Sequence, residues 1–303
     1  MITFILLVLC FTAVTSRNVI NIDNPGLDWD DIKDITLSPK FQKILKRLQK
    51  QPNIKNSIDE EVFEKFVSLK EPPTIGGKKV DLNQIPHHAH IIIDRQYRCG
   101  GTFITLEWVL TAAFCVHKSR QLDIYSVIDL KNSATFSTVA QRVVIHQNYD
   151  ENLLQNDVGL IKLKTSLTCS DAVCTLPRHL DEDANLVGLR CTSSGFGSYF
   201  RLPPLEKPPI ITELKYTRIS IIGNEACSQY WEMHEKQICG IGDGDYGSGL
   251  FVGNPLYKNG SERFLIGVVS YGGFLCGFGQ PSVYTKVSSY NTWINQQLVK
   301  YNE

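Results

Sequence analysis

At 303 residues the chain is long enough for one large all-β unit or two small domains, with ample length to bury a core. Its 31 basic and 31 acidic residues balance, so no global field draws it to nucleic acid or to an anionic membrane. A partner has to be argued from local sites.

The chain opens on an apolar run, ITFILLVLCFTAV, that ends in the small residues Val14, Thr15 and Ser16. Despite the lack of a positive n-region, this reads as a secretory signal peptide over 1–16 rather than a buried strand, and it is too short to span a bilayer stably. Residues 17–73 carry no cysteine and read as a helical prosegment. In its first helix Phe41, Ile44, Leu45 and Leu48 recur at helical spacing after Ser38-Pro39, which supply a cap and a first-turn proline. In its second, Ser57 and Glu60 make a capping-box pattern ahead of Val62, Phe63, Phe66 and Val67. Each helix has one greasy stripe and must dock on something. Pro72-Pro73 ends this region, because proline neither donates nor continues helical geometry.

From Thr74 to about Lys286 the chain changes to short β-branched and aromatic runs, HIIID, VVIH, GLIKL and FLIGVVSY, separated by glycine-rich turns. That pattern predicts a sandwich or barrel. Only the last stretch, near Tyr290 to Val299, has helical spacing, through Trp293, Ile294 and Leu298, and it is expected on the outside of the second half.

Several ordered motifs carry a resemblance over nearly all of this β-rich part: Thr74-Ile75-Gly76-Gly77, Cys99-Gly100-Gly101-Thr102, Trp108 to Ala113, Asn156-Asp157-Val158-Gly159-Leu160, Ser194-Gly195-Phe196-Gly197, Gly244 to Leu250, Ser270-Tyr271-Gly272 and Val283 to Val287. Together they resemble the trypsin and chymotrypsin family of serine proteases. The resemblance implies two six-stranded antiparallel β-barrels, about 74–185 and 186–287, with a C-terminal helix near 288–300, all within a domain spanning 74–303.

Catalysis in that family needs a serine hydroxyl, an imidazole that takes its proton, and a carboxylate that orients the imidazole. Mapped onto this sequence, the carboxylate is Asp157, the histidine position holds Phe114 and the serine position holds Tyr246. A phenyl ring has no lone pair to accept a proton, and a phenol with a pKa of about 10 and no base beside it is not activated. The sequence therefore predicts a protein without protease activity. His117 and Ser248 are the nearest substitutes and read as ordinary polar loop residues; Asp157 without a histidine reads as a carboxylate bonded to local backbone. Only Gly240–Gly244 separate Cys239 from Asp245, so the family's specificity residue and the cysteine ahead of the nucleophile loop are deleted. Tyr246 would then fill the substrate cleft. Pro73 precedes Thr74, a poor cleavage position, and cutting at Lys70 would leave Glu71-Pro72-Pro73 attached, so the prosegment is expected to stay on the chain.

Of nine cysteines, Cys10 lies in the signal, which leaves eight in a chain bound for an oxidising compartment. The resemblance implies the pairs Cys99 with Cys115 and Cys227 with Cys239. Cys169, Cys174, Cys191 and Cys276 lack their familiar partners: Val252 stands opposite Cys191, and the segment opposite Cys276 is deleted. Four cysteines allow three pairings, with Cys276 left open as a free thiol or an intermolecular link. Asn259-Gly260-Ser261 is the one glycosylation sequon. His87, His88 and His90 fall in the first strand with 88 and 90 on one face, a conceivable zinc arrangement. With no carboxylate or cysteine nearby they read as surface histidines, and no metal or cofactor is expected.

The functional expectation is a secreted, extracellular protease homologue that binds a protein partner as cofactor, decoy or inhibitor. The alternatives are a hydrolase rebuilt on Tyr246, His117 or Ser248, or an abundant structural or storage protein.

Overall fold

The computed structural model describes residues 32–34, 38–39, 43–44, 47, 77–81, 83–126, 129–130, 134–196, 212–242, 249–253, 263–272 and 281–302. The signal segment, the second leader helix, Thr74, Tyr246, Ser248, Asn259 and Cys276 lie outside them.

Two six-stranded antiparallel barrels form the body. The first joins β3 (His88–Ile93), β4 (Tyr97–Phe103), β5 (Trp108–Thr111), β6 (Leu122–Ser126), β7 (Phe136–Ile145) and β8 (Gly159–Leu163), and closes through β4 and β5. The second joins β9 (Arg190–Gly195), β10 (Lys215–Ile222), β11 (Gln237–Gly242), β12 (Gly249–Val252), β13 (Phe264–Tyr271) and β14 (Ser282–Lys286), and closes through β10 and β11. Each accepts one further strand from the N-terminal side. β1 (Lys33–Asp34) pairs in parallel with β4, while β2 (Lys78–Lys79), in the stretch assigned to the first barrel, pairs with β10 of the second. Closure leaves few unpaired edges, and these short strands cover part of what remains.

The residues explain the strand types. From Thr217 onward β10 alternates, with Thr217, Ile219 and Ile221 buried and Arg218 and Ser220 exposed, as a strand with one wet face must. β3 is buried along its whole length, HAHIII, because one face fills its barrel and the other meets the second barrel. The crowding is tight enough to require glycine at 101, where a Cβ would come 2.5 Å from Val109 Cγ1 and 3.0 Å from Ile91 Cδ1.

Two expectations are corrected here. His87, His88 and His90 are not surface residues: they are 3%, 3% and 2% exposed. His88 Nδ1 lies 3.1 Å from Ser194 Oγ on β9, both His88 and His90 pack edge-on against Phe196, and His87 packs against Phe251 on β12. An imidazole is half apolar, so an interface between barrels can take three of them as long as they stay neutral. The C-terminal helix α3 (Asn291–Lys300; α1 and α2 are given below) sits on the first barrel, not the second. Trp293 packs against His146 at the end of β7, Asn302 accepts a 2.9 Å hydrogen bond from Trp108 Nε1 on β5, and Arg178 donates to Asn291 and Asn295 at 2.8 Å each. These anchors all lie on first-barrel strands or on the connection that leaves them, so the last helix straps back across the molecule.

Disulfides join Cys99 to Cys115 and Cys227 to Cys239, and the pairing left open by the sequence is Cys169 with Cys174, five residues apart. Cys191 is a buried thiol, unpaired among the described residues, and burial pushes its pKa up to about 12. Its direct cross-strand partner in the β9–β12 register is Val252. A Val252→Cys substitution should therefore close a new disulfide and raise stability by about 2 to 4 kcal/mol. Thermal melting of the variant against wild type without reductant, together with thiol titration, checks this; a variant that melts no higher than wild type would contradict it.

Candidate functional site

The site is built where the barrels meet. Asp157 lies two residues ahead of β8 and is fully buried. The chain enters it through Leu154 and Asn156, both at positive φ (50° and 52°), a costly backbone for a leucine that is held by its complete burial. α1 (Ala113–Val116) is a single turn tied to β4 by the Cys99–Cys115 bridge and pressed onto Gly159, where a Cβ would meet Val116 Cγ2 at 3.1 Å. That close approach brings the backbone N–H of Phe114 to Asp157 Oδ1 at 2.8 Å. The other oxygen, Oδ2, accepts from Ser270 Oγ at the end of β13, at 2.6 Å. Thr285 on β14 adds a hydrogen bond from its hydroxyl to the Asp157 carbonyl at 2.8 Å. One residue of the first barrel is thus stitched to two strands of the second.

Burial pushes the Asp157 carboxyl up to about 6, against the pull of the hydrogen bonds from Ser270, Phe114 and Ala113. These donors favour the ionised form but do not fully replace water. No lone pair is available at position 114: its side chain is a phenyl ring, 6% exposed. It lies in an apolar cluster with Ile44 of the leader, Leu154, Trp231, Tyr271, Val283 and the Cys227–Cys239 bridge, which ties α2 (Asn224–Cys227) to β11. Where the family's imidazole would need polar surroundings, this cleft is greasy.

His117 is turned to the facing loop, with Nε2 3.3 Å from Glu151 Oε2 and its ring against Tyr149, while Lys118 reaches the same carboxylate at 3.0 Å. The three histidines of the β3 region do not assemble a metal site; among the described residues no group of three His, Cys, Asp or Glu side chains converges. Several contributors carry no functional signal of their own in the sequence, Ser270 and Ile44 among them. Ser270 was visible only as part of a motif. Ile44 was visible as one position of an apolar stripe, and that stripe was the signal that something would receive it. No helix among the described residues is long and apolar enough to cross a membrane.

Comparison with known proteins accords with this architecture. Trypsin from Sus scrofa is 31% identical over 237 residues, covering 74% of this chain and 95% of that protein. Brachyurin from Leptuca pugilator is 30% identical over 231 residues, covering 74% and 97%. Among solved structures, HL collagenase is 27% identical with a TM-score of 0.60, covering 73% of this chain and 96% of its own. The profile described as Trypsin matches residues 74–294, the span that holds both barrels, Asp157 and the first turn of the closing helix, and the chain belongs to the trypsin family.

Proposed function

We propose that this chain is a secreted, proteolytically inactive member of the trypsin family that works by binding another secreted protein, as a cofactor, decoy or inhibitor in an extracellular proteolytic or immune pathway. The observation that carries the reading is Phe114. Its backbone N–H rests on Asp157 at 2.8 Å, in the place where the family's mechanism needs an imidazole, and its ring can take no proton. Asp157 keeps a structural use without one, because Ser270 and the backbone occupy both its oxygens. Tyr246 at the serine position removes the nucleophile as well. His117, the nearest substitute base, is engaged with Glu151. Three disulfides and the apolar N-terminal run support secretion.

Casein hydrolysis tests the reading, run on the purified chain, on a form cut before Thr74, and on the Phe114→His, Tyr246→Ser double variant. The first two should turn over at least about 10⁴-fold more slowly than trypsin, the loss expected when triad members are missing. Turnover near that of trypsin by either would sink the proposal. Capture of one saturable protein from the fluid into which the chain is secreted supports the binding half, and absence of any such protein counts against it.

A further inference from the structure

Among the described residues, the leader touches the molecule through a short strand and through a helical stretch beyond it. Lys33 and Asp34 extend the first barrel in parallel with β4, and the Lys33 N–H donates to the Gln96 carbonyl at 2.9 Å. Ile32, 5% exposed, joins the main core. Beyond them Pro39, Lys43, Ile44 and Arg47 are helical. Ile44 is 4% exposed and lies in the cluster that holds Phe114 and Leu154 from the first barrel with Trp231, Tyr271 and Val283 from the second. One helical turn later Arg47 Nη1 donates to Asn152 Oδ1 at 2.9 Å, on the loop that borders the same cluster.

We propose that the cleft is a docking groove for the chain's own leader, with Ile44 as the anchor and Phe114 as the residue that makes the groove able to hold it. A histidine at 114 would put a polar ring into the apolar cluster that receives Ile44, and its nitrogens would compete for Asp157. A phenyl ring leaves Asp157 to Ser270 and the backbone and gives the isoleucine an apolar neighbour. This goes beyond the function proposed above, because it stands on packing and holds whether or not the cleft hydrolyses anything.

Hydrogen exchange on the full-length secreted chain tests it, comparing wild type with Ile44→Asp, Ile44→Val and Arg47→Ala. In the wild type the amides of Lys43, Ile44 and Arg47 should be protected well above an unfolded chain. Ile44→Asp should speed their exchange, and that of the peptide carrying Tyr230 and Trp231, by about tenfold or more, while Ile44→Val stays within about twofold. Arg47→Ala should have an intermediate effect on the leader alone. Unprotected leader amides in the wild type overturn the proposal without any variant having to fold, and so does an Ile44→Asp chain whose exchange is unchanged. Exchange on the untreated chain reports leader docking and probe labelling reports an activated nucleophile, so the two proposals fail separately.

Discussion

Taking the protein from about pH 7 to about pH 5 should remove at least about 2 to 3 kcal/mol of folding stability. His87 and His88 are held down to about 3 by burial, with Arg263 also opposing charge on His87. Burial, Arg98 and His88 hold His90 well below its ordinary value of 6.5. A histidine whose pKa is depressed by folding is neutral in both states above about pH 6.5, where its stability contribution is complete. Below that the unfolded chain binds a proton that the folded chain refuses, and each such group costs about 1.4 kcal/mol per pH unit. His87 and His88 lose about 2 kcal/mol each by pH 5, and His90 adds to the loss in the same direction. Asp157 works the other way: its pKa is raised from 3.8 to about 6, so folding takes up a proton as pH falls through 6 and returns about 1 kcal/mol. The three histidines outweigh the one carboxyl. Urea melts at a series of pH values should show the midpoint falling steeply below pH 6.5, toward acid unfolding for a domain of ordinary stability. A midpoint flat between pH 7 and 5 would mean that the histidines reach solvent.

Truncation of Trp231 should be the most damaging single change at the cleft. Its ring is fully buried, packs edge-on against Tyr271 with centroids 5.4 Å apart, and its Nε1 donates to the Pro281 carbonyl at 2.8 Å. Trp231→Ala removes that contact area, opens a cavity beside the Cys227–Cys239 bridge and strands a carbonyl, a loss of about 3 to 5 kcal/mol. Trp231→Phe keeps most of the volume and loses the hydrogen bond, so it should cost about 1 to 2 kcal/mol. Chemical denaturation distinguishes the two, and equal effects from both would place the energy in the hydrogen bond instead of the packing.

The two-barrel fold was legible because short β-branched runs alternate with glycine turns and the motifs fall in one order along the chain. Asp157 and Phe114 were legible for the same reason, since each sits inside a motif whose neighbours, Gly159 and Cys115, fix the local geometry. What escaped was set by contacts distant in sequence. The histidines of the β3 region are a polar type that normally faces water, and only the second barrel, arriving with Ser194, Phe196 and Phe251, covers them. β1 is two residues long, too short to show any periodicity, and it exists because β4 offers an open edge. The last helix carries a visible apolar stripe, but the stripe does not say which barrel will receive it. Cys169 and Cys174 could be paired only once the connection between them folded back on itself.

The central claim is that no nucleophile in this cleft is activated. Intact-mass measurement after incubation with a fluorophosphonate probe tests it most directly, with trypsin treated alongside. The account predicts an unchanged mass for the full chain and for the form cut before Thr74, while trypsin is labelled completely. A stoichiometric adduct on this chain, mapped to Ser248, Tyr246 or any other residue, would contradict it and identify the nucleophile of a rebuilt enzyme.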